Sequence, residues 1–467
     1  MPTSRNQPEN QPDTAPNRRA FDTLDRSLGV PGAVMMGMGS IVGTGAFVSI
    51  GIAAGIAGPA VLLAIAIAAA LATCNGLSSA QLAANHAVSG GTYEYGYRYA
   101  SPFFGFLAGW MFLIAKSASA ATAALGLAGY LLITFRSPGA GGEADGPFAV
   151  GTGLVPIALL ALVLLTTLTL TGLRRTNLVN IIIVTITLLT LVIFVLAGLP
   201  AALDGWRENF TPFIDPLDET TSPGTVVILH ATALMFVAYT GYGRIATMGE
   251  EVREPRRIIP RAIIITLIVS MLLYLGVAFV AIGAVGAAFF AESTSRDAAP
   301  LDIIARTIAL PGAGTVLAIG AITAMTGVLL NLLLGLSRVL LAMGRRGDMP
   351  RFTATLSRRS RTPAAAILVV ALIIGALVLI GDVRTTWSFS AFTVLIYYAI
   401  TNWCALQLPR ELQLFPRWIA ALGLVGCLAL AFFVDWQIWA IGLGLTAAGW
   451  GWMLIARTIN ARSSHHS

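Results

Sequence analysis

Long apolar runs without acidic residues constrain this chain more than any other feature. Examples are residues 59–73, 147–173, 176–203 and 262–291. A run of about 20 apolar residues crosses a bilayer as a helix. The chain is 56% hydrophobic and only 11% charged, whereas a soluble domain is roughly 25% charged. The sequence therefore predicts an all-α polytopic membrane protein rather than a set of water-soluble domains.

The apolar runs predict twelve membrane spans. The segment before them is polar, so residues 1–27 are predicted to form a disordered cytosolic tail with no cleavable signal peptide. The membrane domain is predicted over residues 28–458, and a second cytosolic tail over 459–467. The spans are placed near residues 30–56, 58–84, 101–133, 151–172, 176–199, 224–249, 260–290, 311–344, 363–381, 385–407, 416–434 and 436–457.

Arginine is concentrated before the first span and in the connections that follow even-numbered spans. By the positive-inside rule this side is cytosolic, which puts both termini in the cytosol of a plasma or inner membrane. We interpret the net charge of +7 as a topology signal facing anionic lipid, and not as a nucleic-acid surface. The arginines concerned are Arg18, Arg19, Arg26, Arg174, Arg175, Arg253, Arg256, Arg257, Arg261, Arg345, Arg346, Arg351, Arg358, Arg359, Arg361, Arg410 and Arg417.

Two spans carry a Gly-x-Gly at mid-membrane depth, Gly43 to Gly45 in the first and Gly241 to Gly243 in the sixth. Glycine costs about 1 kcal/mol in a helix interior relative to alanine, and unwound backbone survives in a membrane only where it lines a polar site. Freed N–H groups can bind a carboxylate and freed carbonyls an ammonium, and an α-amino acid carries both groups. The alternative is that these glycines let helices pack closely. Their places in the first and sixth spans favour two inverted five-helix repeats.

Further motifs follow in a fixed order along the chain. They are Gly39–Phe47, Ser89–Tyr95, Gly105-Phe106, Gly109-Trp110, Gly249–Arg257, Ile259–Arg261, Ser337-Arg338 and Arg345–Pro350. In these motifs the chain resembles the amino acid–polyamine–organocation permease family, in the branch of bacterial amino acid permeases and cationic amino acid transporters. The resemblance covers roughly residues 28–455.

The resemblance implies a fold and a mechanism. The fold is a five-plus-five inverted repeat with broken first and sixth helices, and two extra C-terminal helices. The first repeat would cover about 30–199, the second about 224–407 and the extra helices about 416–457. The mechanism implied is alternating access by a secondary transporter.

The resemblance also implies a substrate site at the two breaks. The backbone of the first break would hold the substrate carboxylate, through Ile41, Gly43, Thr44 and Gly45. The second break would take the ammonium group and gate the site, through Ala238, Tyr239, Thr240 and Gly241. An aromatic residue within a span, such as Tyr239, has packing as its alternative role.

Three positions depart from the family pattern. Many relatives carry a fifth-span lysine whose ammonium replaces a sodium ion, and that position here is Thr187, which becomes a candidate coupling residue. Gly243 stands where some relatives have an acid, and Gln81 where a glutamate is usual. The customary coupling groups are therefore missing or replaced.

Lys116 is the only lysine of the chain and falls in the middle of the predicted third span. About 21 Å of helix separates it from Pro102, too deep for easy snorkelling, and a charge at helix centre costs about 2.5–3.5 kcal/mol. Two functional roles are open. Lys116 could carry a proton, because desolvation disfavours its charged form, or its fixed charge could replace a coupling cation and favour an anionic or zwitterionic substrate. The alternative is a structural lysine bonded to the carbonyls of a broken helix.

The sequence favours secondary transport of neutral or acidic amino acids, coupled to protons or running as an exchange, with no enzymatic activity, cofactor or metal. A cationic substrate would need a buried carboxylate, and Lys116 would repel it. A cationic amino acid or polyamine exchanger remains the alternative transporter, and a non-transporting nutrient sensor the alternative of another class. For Arg338 membrane anchoring is preferred to a salt bridge at the inner gate, and for Arg244 both stay open. The oligomeric state is left open.

Overall fold

The structure is a computed structural model that describes residues 29–86, 90–135, 150–172, 177–214, 223–246, 252–308, 312–357 and 362–464. The predicted tail 1–27, the loop arginines Arg174 and Arg175, and the acids Glu250 and Glu251 lie outside the described residues. Within the described ranges the chain forms the helices α1 Val30–Ile41, α2 Ile50–Ala57, α3 Val61–Asn85, α4 Thr92–Tyr99, α5 Pro102–Phe135, α6 Val150–Leu170, α7 Asn177–Asn209, α8 Gly224–Tyr239, α9 Gly243–Ala246, α10 Pro255–Val285, α11 Ala287–Asp297, α12 Pro300–Thr307, α13 Ala313–Arg346, α14 Ala364–Val378, α15 Val383–Leu406, α16 Arg417–Ala431 and α17 Trp436–Ser464.

The helices match the predicted membrane spans. In the described part of the chain, nine segments are long and apolar enough to cross a membrane, and α1, α14 and α16 are shorter apolar helices. Most helix ends agree with the prediction to within a few residues. There are three exceptions: α7 ends at Asn209 rather than near 199, α10 covers Pro255–Val285 rather than 260–290, and α17 ends at Ser464 rather than near 457. The predicted all-α polytopic fold is confirmed.

The spans divide into a polar-lined interior and an apolar periphery. The central helix α5 is almost fully buried, and small residues such as Ala118 and Ala121 let α13 and α15 pack closely against it. Peripheral spans instead expose large apolar side chains, among them Leu164, Leu196 and Leu372. Such faces are stable against lipid tails and not against water. The hydrophobic periphery therefore faces the bilayer, and close packing is reserved for the centre.

The two five-span halves pack with matching contacts. The second span of the first half, α3, packs on the second span of the other half, α10, and α5 packs likewise on α13. The broken helices also exchange partners, because α1 packs on α10 and α8 packs on α3.

A short helix follows the second span of each half: α4 after α3, and α11 after α10. Five membrane crossings separate these two connections, so they lie on opposite faces. This arrangement is the one expected of inverted repeats.

Candidate substrate site

The first break interrupts the first span directly after α1. The Val42 N–H donates to the Met38 carbonyl at 2.8 Å, and Val42 itself is extended, with φ −84° and ψ 100°. Beyond Thr44 the chain resumes as a π-helix over Gly45–Ser49, a wide turn that is frequent at functional sites. The hydroxyl of Thr44 is buried and has no hydrogen-bond partner among the described residues. The first break therefore presents an unsatisfied polar group at mid-span.

The second break interrupts the sixth span after Tyr239. A 3-10 turn covers Thr240–Tyr242, and α9 continues from Gly243. A Cβ atom on Gly241 would overlap the carbonyl oxygen of Ser40, at the end of α1. Because only glycine lacks that atom, only glycine lets the two backbones lie against each other here.

Tyrosine hydroxyls satisfy the carbonyl groups that the breaks release. Tyr274 Oη of α10 lies 3.0 Å from the Ile41 carbonyl and 3.2 Å from the Ala238 carbonyl, so one O–H serves both breaks. Tyr398 Oη of α15 donates to the Thr240 carbonyl at 3.1 Å. A buried carbonyl without a partner costs about 1–3 kcal/mol. The tyrosines therefore stabilise irregular backbone that lipid could not accommodate.

Lys116 projects from α5 onto the second break. Its Nζ atom donates to Thr240 Oγ1 at 2.6 Å, and that hydroxyl donates in turn to the Val237 carbonyl at 2.7 Å. The side chain is 8% exposed. Among the described residues the ion pairs are Arg257–Glu254, Arg306–Asp302 and Arg346–Glu94, so Lys116 belongs to none of them. The ammonium is therefore held by a neutral hydroxyl at the crossing of the breaks.

Two adjoining cavities meet at this crossing. The smaller, about 40 Å³, lies between the breaks; its lining includes Thr44, Gly45, Lys116, Ser119, Thr240 and Trp387. The larger, about 430 Å³, shares Ser40, Lys116, Thr240, Gly241, Val328 and Leu332 with the smaller one. It extends past Arg244 and Asn331 to the exposed side chain of Arg338. The crossing is thus reached from the face where α4 lies.

The opposite side of the crossing is closed. Trp387 of α15 lines the smaller cavity and donates from its indole nitrogen to the Leu234 carbonyl at 3.0 Å. Phe47 is fully buried and packs edge-on against Tyr130, whose hydroxyl donates to the Phe47 carbonyl at 3.3 Å. Further out, α11 covers α2. The structure therefore has one closed face and one accessible face.

The helix α4 is tied to the accessible face beside the cavity mouth. Tyr93 and Tyr97 both donate to Asp348 Oδ2 at 2.7 Å, and Glu94 pairs with Arg346 at the end of α13. Gly90, Gly91 and Tyr93 line the larger cavity. This polar cluster fixes the position of α4 at the mouth.

The structure brings most of the predicted site residues together, but not all of them. Ile41, Thr44, Gly45, Lys116, Ala238, Thr240 and Gly241 line the smaller cavity.

Gly43 faces Val328 instead, where a Cβ atom would come within 2.6 Å of Cγ2. Tyr239 points away from both cavities and donates to the Ile65 carbonyl at 3.2 Å. Thr187 lines neither cavity and donates to Ile183 of its own helix.

Sequence reasoning missed several residues of the site. Tyr274, Tyr398, Trp387 and the hydrogen-bonded pair Ser119–Ser390 were not identified in advance. One signal was available, because a tyrosine or tryptophan buried in a span must find a partner for its O–H or N–H group. Which carbonyl would be the partner is set by helix packing.

Comparison with known proteins agrees with this architecture. The amino acid permease family matches residues 32–461. An uncharacterized transporter of Mycobacterium tuberculosis is 37% identical over 447 residues, which cover 95% of this chain and 94% of that protein. The branched-chain amino acid permease BcaP of Bacillus subtilis is 25% identical over 353 residues, covering 74% and 72%. The vacuolar cationic amino acid transporter 4 of Arabidopsis thaliana is 26% identical over 400 residues, covering 82% and 63%.

Paired helix breaks that meet at a cavity, within a polytopic membrane fold, define the class as a membrane transporter. The chain belongs to the amino acid permease family, since the family match takes in nearly the whole membrane domain.

Proposed function

We propose that this permease is a secondary active transporter that carries neutral or acidic amino acids across the cell membrane by alternating access. The observation that carries the proposal is the small cavity at the crossing of the two breaks, lined by Thr44 and Gly45 from one break and Ala238 and Thr240 from the other. Both charged groups of a zwitterion find complementary groups there.

The first break suits the α-carboxylate of the substrate. Residues 45–57 form a helical segment whose N-terminal end carries a partial positive charge. The N–H groups of Ala46 and Phe47 donate to the Gly43 carbonyl at 3.0 and 3.1 Å, so the attraction for a carboxylate comes from the helix dipole. The unpaired hydroxyl of Thr44 adds a side-chain donor at the same place. A carboxylate that accepts the Thr44 O–H would supply the contact that this hydroxyl lacks among the described residues.

The second break suits the α-ammonium group. The carbonyls of Ala238 and Thr240 each accept one tyrosine O–H, and a carbonyl oxygen has two lone pairs. In the proposed complex these carbonyls accept the substrate ammonium alongside the tyrosine O–H groups. The helix end at Tyr239 adds the partial negative charge of a C-terminus.

The cavity geometry corresponds to an inward-open conformation. The accessible face holds Arg244 and Arg338. By the positive-inside rule, the arginine-rich connections support a cytosolic position for this face and for both termini. Alternating access would require closure around α4 and opening beside Trp387 and Phe47.

Lys116 is the proposed coupling group, and its ammonium would repel the side chain of a cationic substrate. It is buried, it contacts the second break directly, and its charge could be neutralised by proton loss or balanced by the substrate. Thr187, the other candidate, bonds only within its own helix and supports no such step. We therefore place proton coupling or exchange at Lys116.

The first test is uptake of a labelled amino-acid panel by proteoliposomes, with and without an inward proton gradient. We expect saturable uptake of neutral or acidic amino acids and no competition by lysine or putrescine. Accumulation driven by the gradient would establish proton symport, and accumulation only against preloaded substrate would establish exchange.

The variant Lys116→Met is the matched comparison for coupling, because methionine has an unbranched side chain of similar length and carries no charge. We expect it to abolish the dependence of uptake on the proton gradient. Unchanged uptake at every pH would exclude both proposed roles of Lys116. The absence of saturable flux for any amino acid would favour a nutrient sensor instead.

A further inference from the structure

The charged side chains that line the two cavities are all cationic. Lys116 lines both cavities, and Arg244 and Arg338 line the larger one between the crossing and the accessible face. Within the described part of the chain, no aspartate or glutamate lines either cavity. A passage lined by one sign of charge raises the local concentration of ions of the opposite sign. The passage therefore favours a permeant with net negative charge.

Lys116 has hydrogen-bonding capacity that its protein contacts do not use. An ammonium group has three N–H donors, and one of them is directed at Thr240 Oγ1. That acceptor is neutral, and in the described residues no carboxylate lies within ion-pair distance of Nζ. A buried charge without a counter-ion is costly, and an anionic group of the permeant would reduce that cost.

Lys116 reaches the smaller cavity by way of the second break and not the first. The first break lies on α1 and the segment after it, whereas Lys116 approaches from α5 by way of Thr240 on the second break. A zwitterion held at both breaks would direct its side chain toward the remaining wall of the smaller cavity. That wall includes Lys116, Ser119, Val328 and Leu332, which offers one ammonium, one hydroxyl and two apolar surfaces.

From this arrangement we propose that Lys116 binds the side-chain carboxylate of the substrate, which makes acidic amino acids the preferred cargo. Val328 and Leu332 contact the methylene stem, and Ser119 is within the same wall. Arg338, at the exposed end of the larger cavity, attracts the anion into the passage. The inference rests on the proposed function and narrows its substrate class.

The test uses two pairs of competitors that differ in charge and hardly in shape: aspartate with asparagine, and glutamate with glutamine. Uptake of labelled alanine by wild-type proteoliposomes is measured at neutral pH with each competitor, in chloride buffer and in chloride-free sulfate buffer. We expect at least one acid to compete at a concentration roughly tenfold to a hundredfold lower than its amide, in both buffers, because a charge-assisted hydrogen bond contributes that much.

The variants Lys116→Met and Lys116→Arg then locate the effect. We expect Lys116→Met to remove the preference for the acid while retaining competition by the amide, and Lys116→Arg to keep much of the preference. Arg257→Gln is the control, because Arg257 is an exposed arginine paired with Glu254 outside the cavities. If Lys116→Met does not fold, the wild-type competition decides by itself.

The outcomes separate this inference from the proposed function. Equal competition by acids and amides in the wild type would overturn the inference and leave amino-acid transport intact. A chloride requirement without competition by acids would assign Lys116 to an inorganic anion. If Lys116→Met weakened competition by acids and by amides equally, Lys116 would be assigned to binding the α-carboxylate. Failure of every amino acid to be taken up would overturn the proposed function itself.

Discussion

The two helix breaks occupy equivalent places in the two halves of the protein, but their polar groups are satisfied in opposite ways. At the second break, Thr240 is bonded through its hydroxyl to Lys116 and through its carbonyl to Tyr398, and Tyr274 serves the Ala238 carbonyl. At the first break the Thr44 hydroxyl has no partner in the described structure. The tyrosine that serves the Ile41 carbonyl of the first break, Tyr274, is shared with the second break.

This difference teaches how one fold can use the same irregularity for two purposes. Unsatisfied groups cost free energy, which a ligand can recover by bonding to them. A break whose groups are bonded to several helices moves only if those helices move. The first break is thus suited to hold the substrate. The second break is suited to couple substrate binding to helix movement, because it joins α5, α10 and α15 through Lys116, Tyr274 and Tyr398.

The largest expected effect comes from separating the two breaks. In Gly241→Ala the new methyl group overlaps the Ser40 carbonyl, and backbone cannot yield as a flexible side chain can. Overpacking of this kind costs about 1–3 kcal/mol, so we expect the initial rate of uptake to fall by tenfold or more. The control is Gly444→Ala in α17, where a Cβ atom would meet nothing within 4 Å. A rate within twofold of wild type in Gly241→Ala would mean that the breaks need not touch.

The next effect should distinguish the breaks from each other. Thr44→Val removes an unpaired hydroxyl, so we expect the KM for amino acids to rise about tenfold, from loss of a bond to the carboxylate, with no loss of thermal stability. Thr240→Val leaves the Lys116 ammonium without its acceptor, and we expect a lower melting temperature as well. Uptake kinetics and melting curves in detergent measure both quantities. Equal loss of thermal stability in the two variants would contradict the proposed difference between an unbonded first break and a bonded second break.

The smallest effect concerns the two tyrosines that serve the breaks. Tyr274→Phe leaves two carbonyls without a donor, and Tyr398→Phe leaves one. We expect both variants to lower stability, Tyr274→Phe by about 1–2 kcal/mol more, since each unsatisfied buried carbonyl has a cost of that order. Thermal melting of the purified variants measures the order. A larger loss in Tyr398→Phe would show that the Tyr274 hydroxyl is not shared between the breaks.

Much of the fold was predictable because lipid leaves few choices. An apolar run in a bilayer must be a helix, and α3, α5 and α13 begin and end close to their predicted limits for that reason. The short helices α4, α11 and α12 were not predicted. The helices α4 and α12 are amphipathic segments outside the apolar runs, whose helicity depends on what they pack against. The helix α11 begins within the run 262–291, where Gly286 at φ 82° ends α10.

The candidate site was predictable to the extent that glycine and lysine are unusual in a span. The Gly-x-Gly pairs located both breaks, and the single lysine located the charge beside them. The tyrosine donors could not be assigned to their carbonyls, because α10 and α15 reach the breaks only after the helices have packed. The orientation of Tyr239 away from the cavities is likewise decided by its contacts with Tyr274 and Ile65.

The sequence by itself determined the helical spans, the two breaks and the burial of a lone ammonium, since each follows from the cost of exposing polar groups to lipid. Tertiary structure alone decided that the breaks lie against each other and that Lys116 reaches Thr240 rather than a carboxylate. It also decided that the cavity is accessible from one face. These features depend on contacts between residues more than a hundred positions apart, and such contacts are set by how the two halves pack together, not by any local pattern.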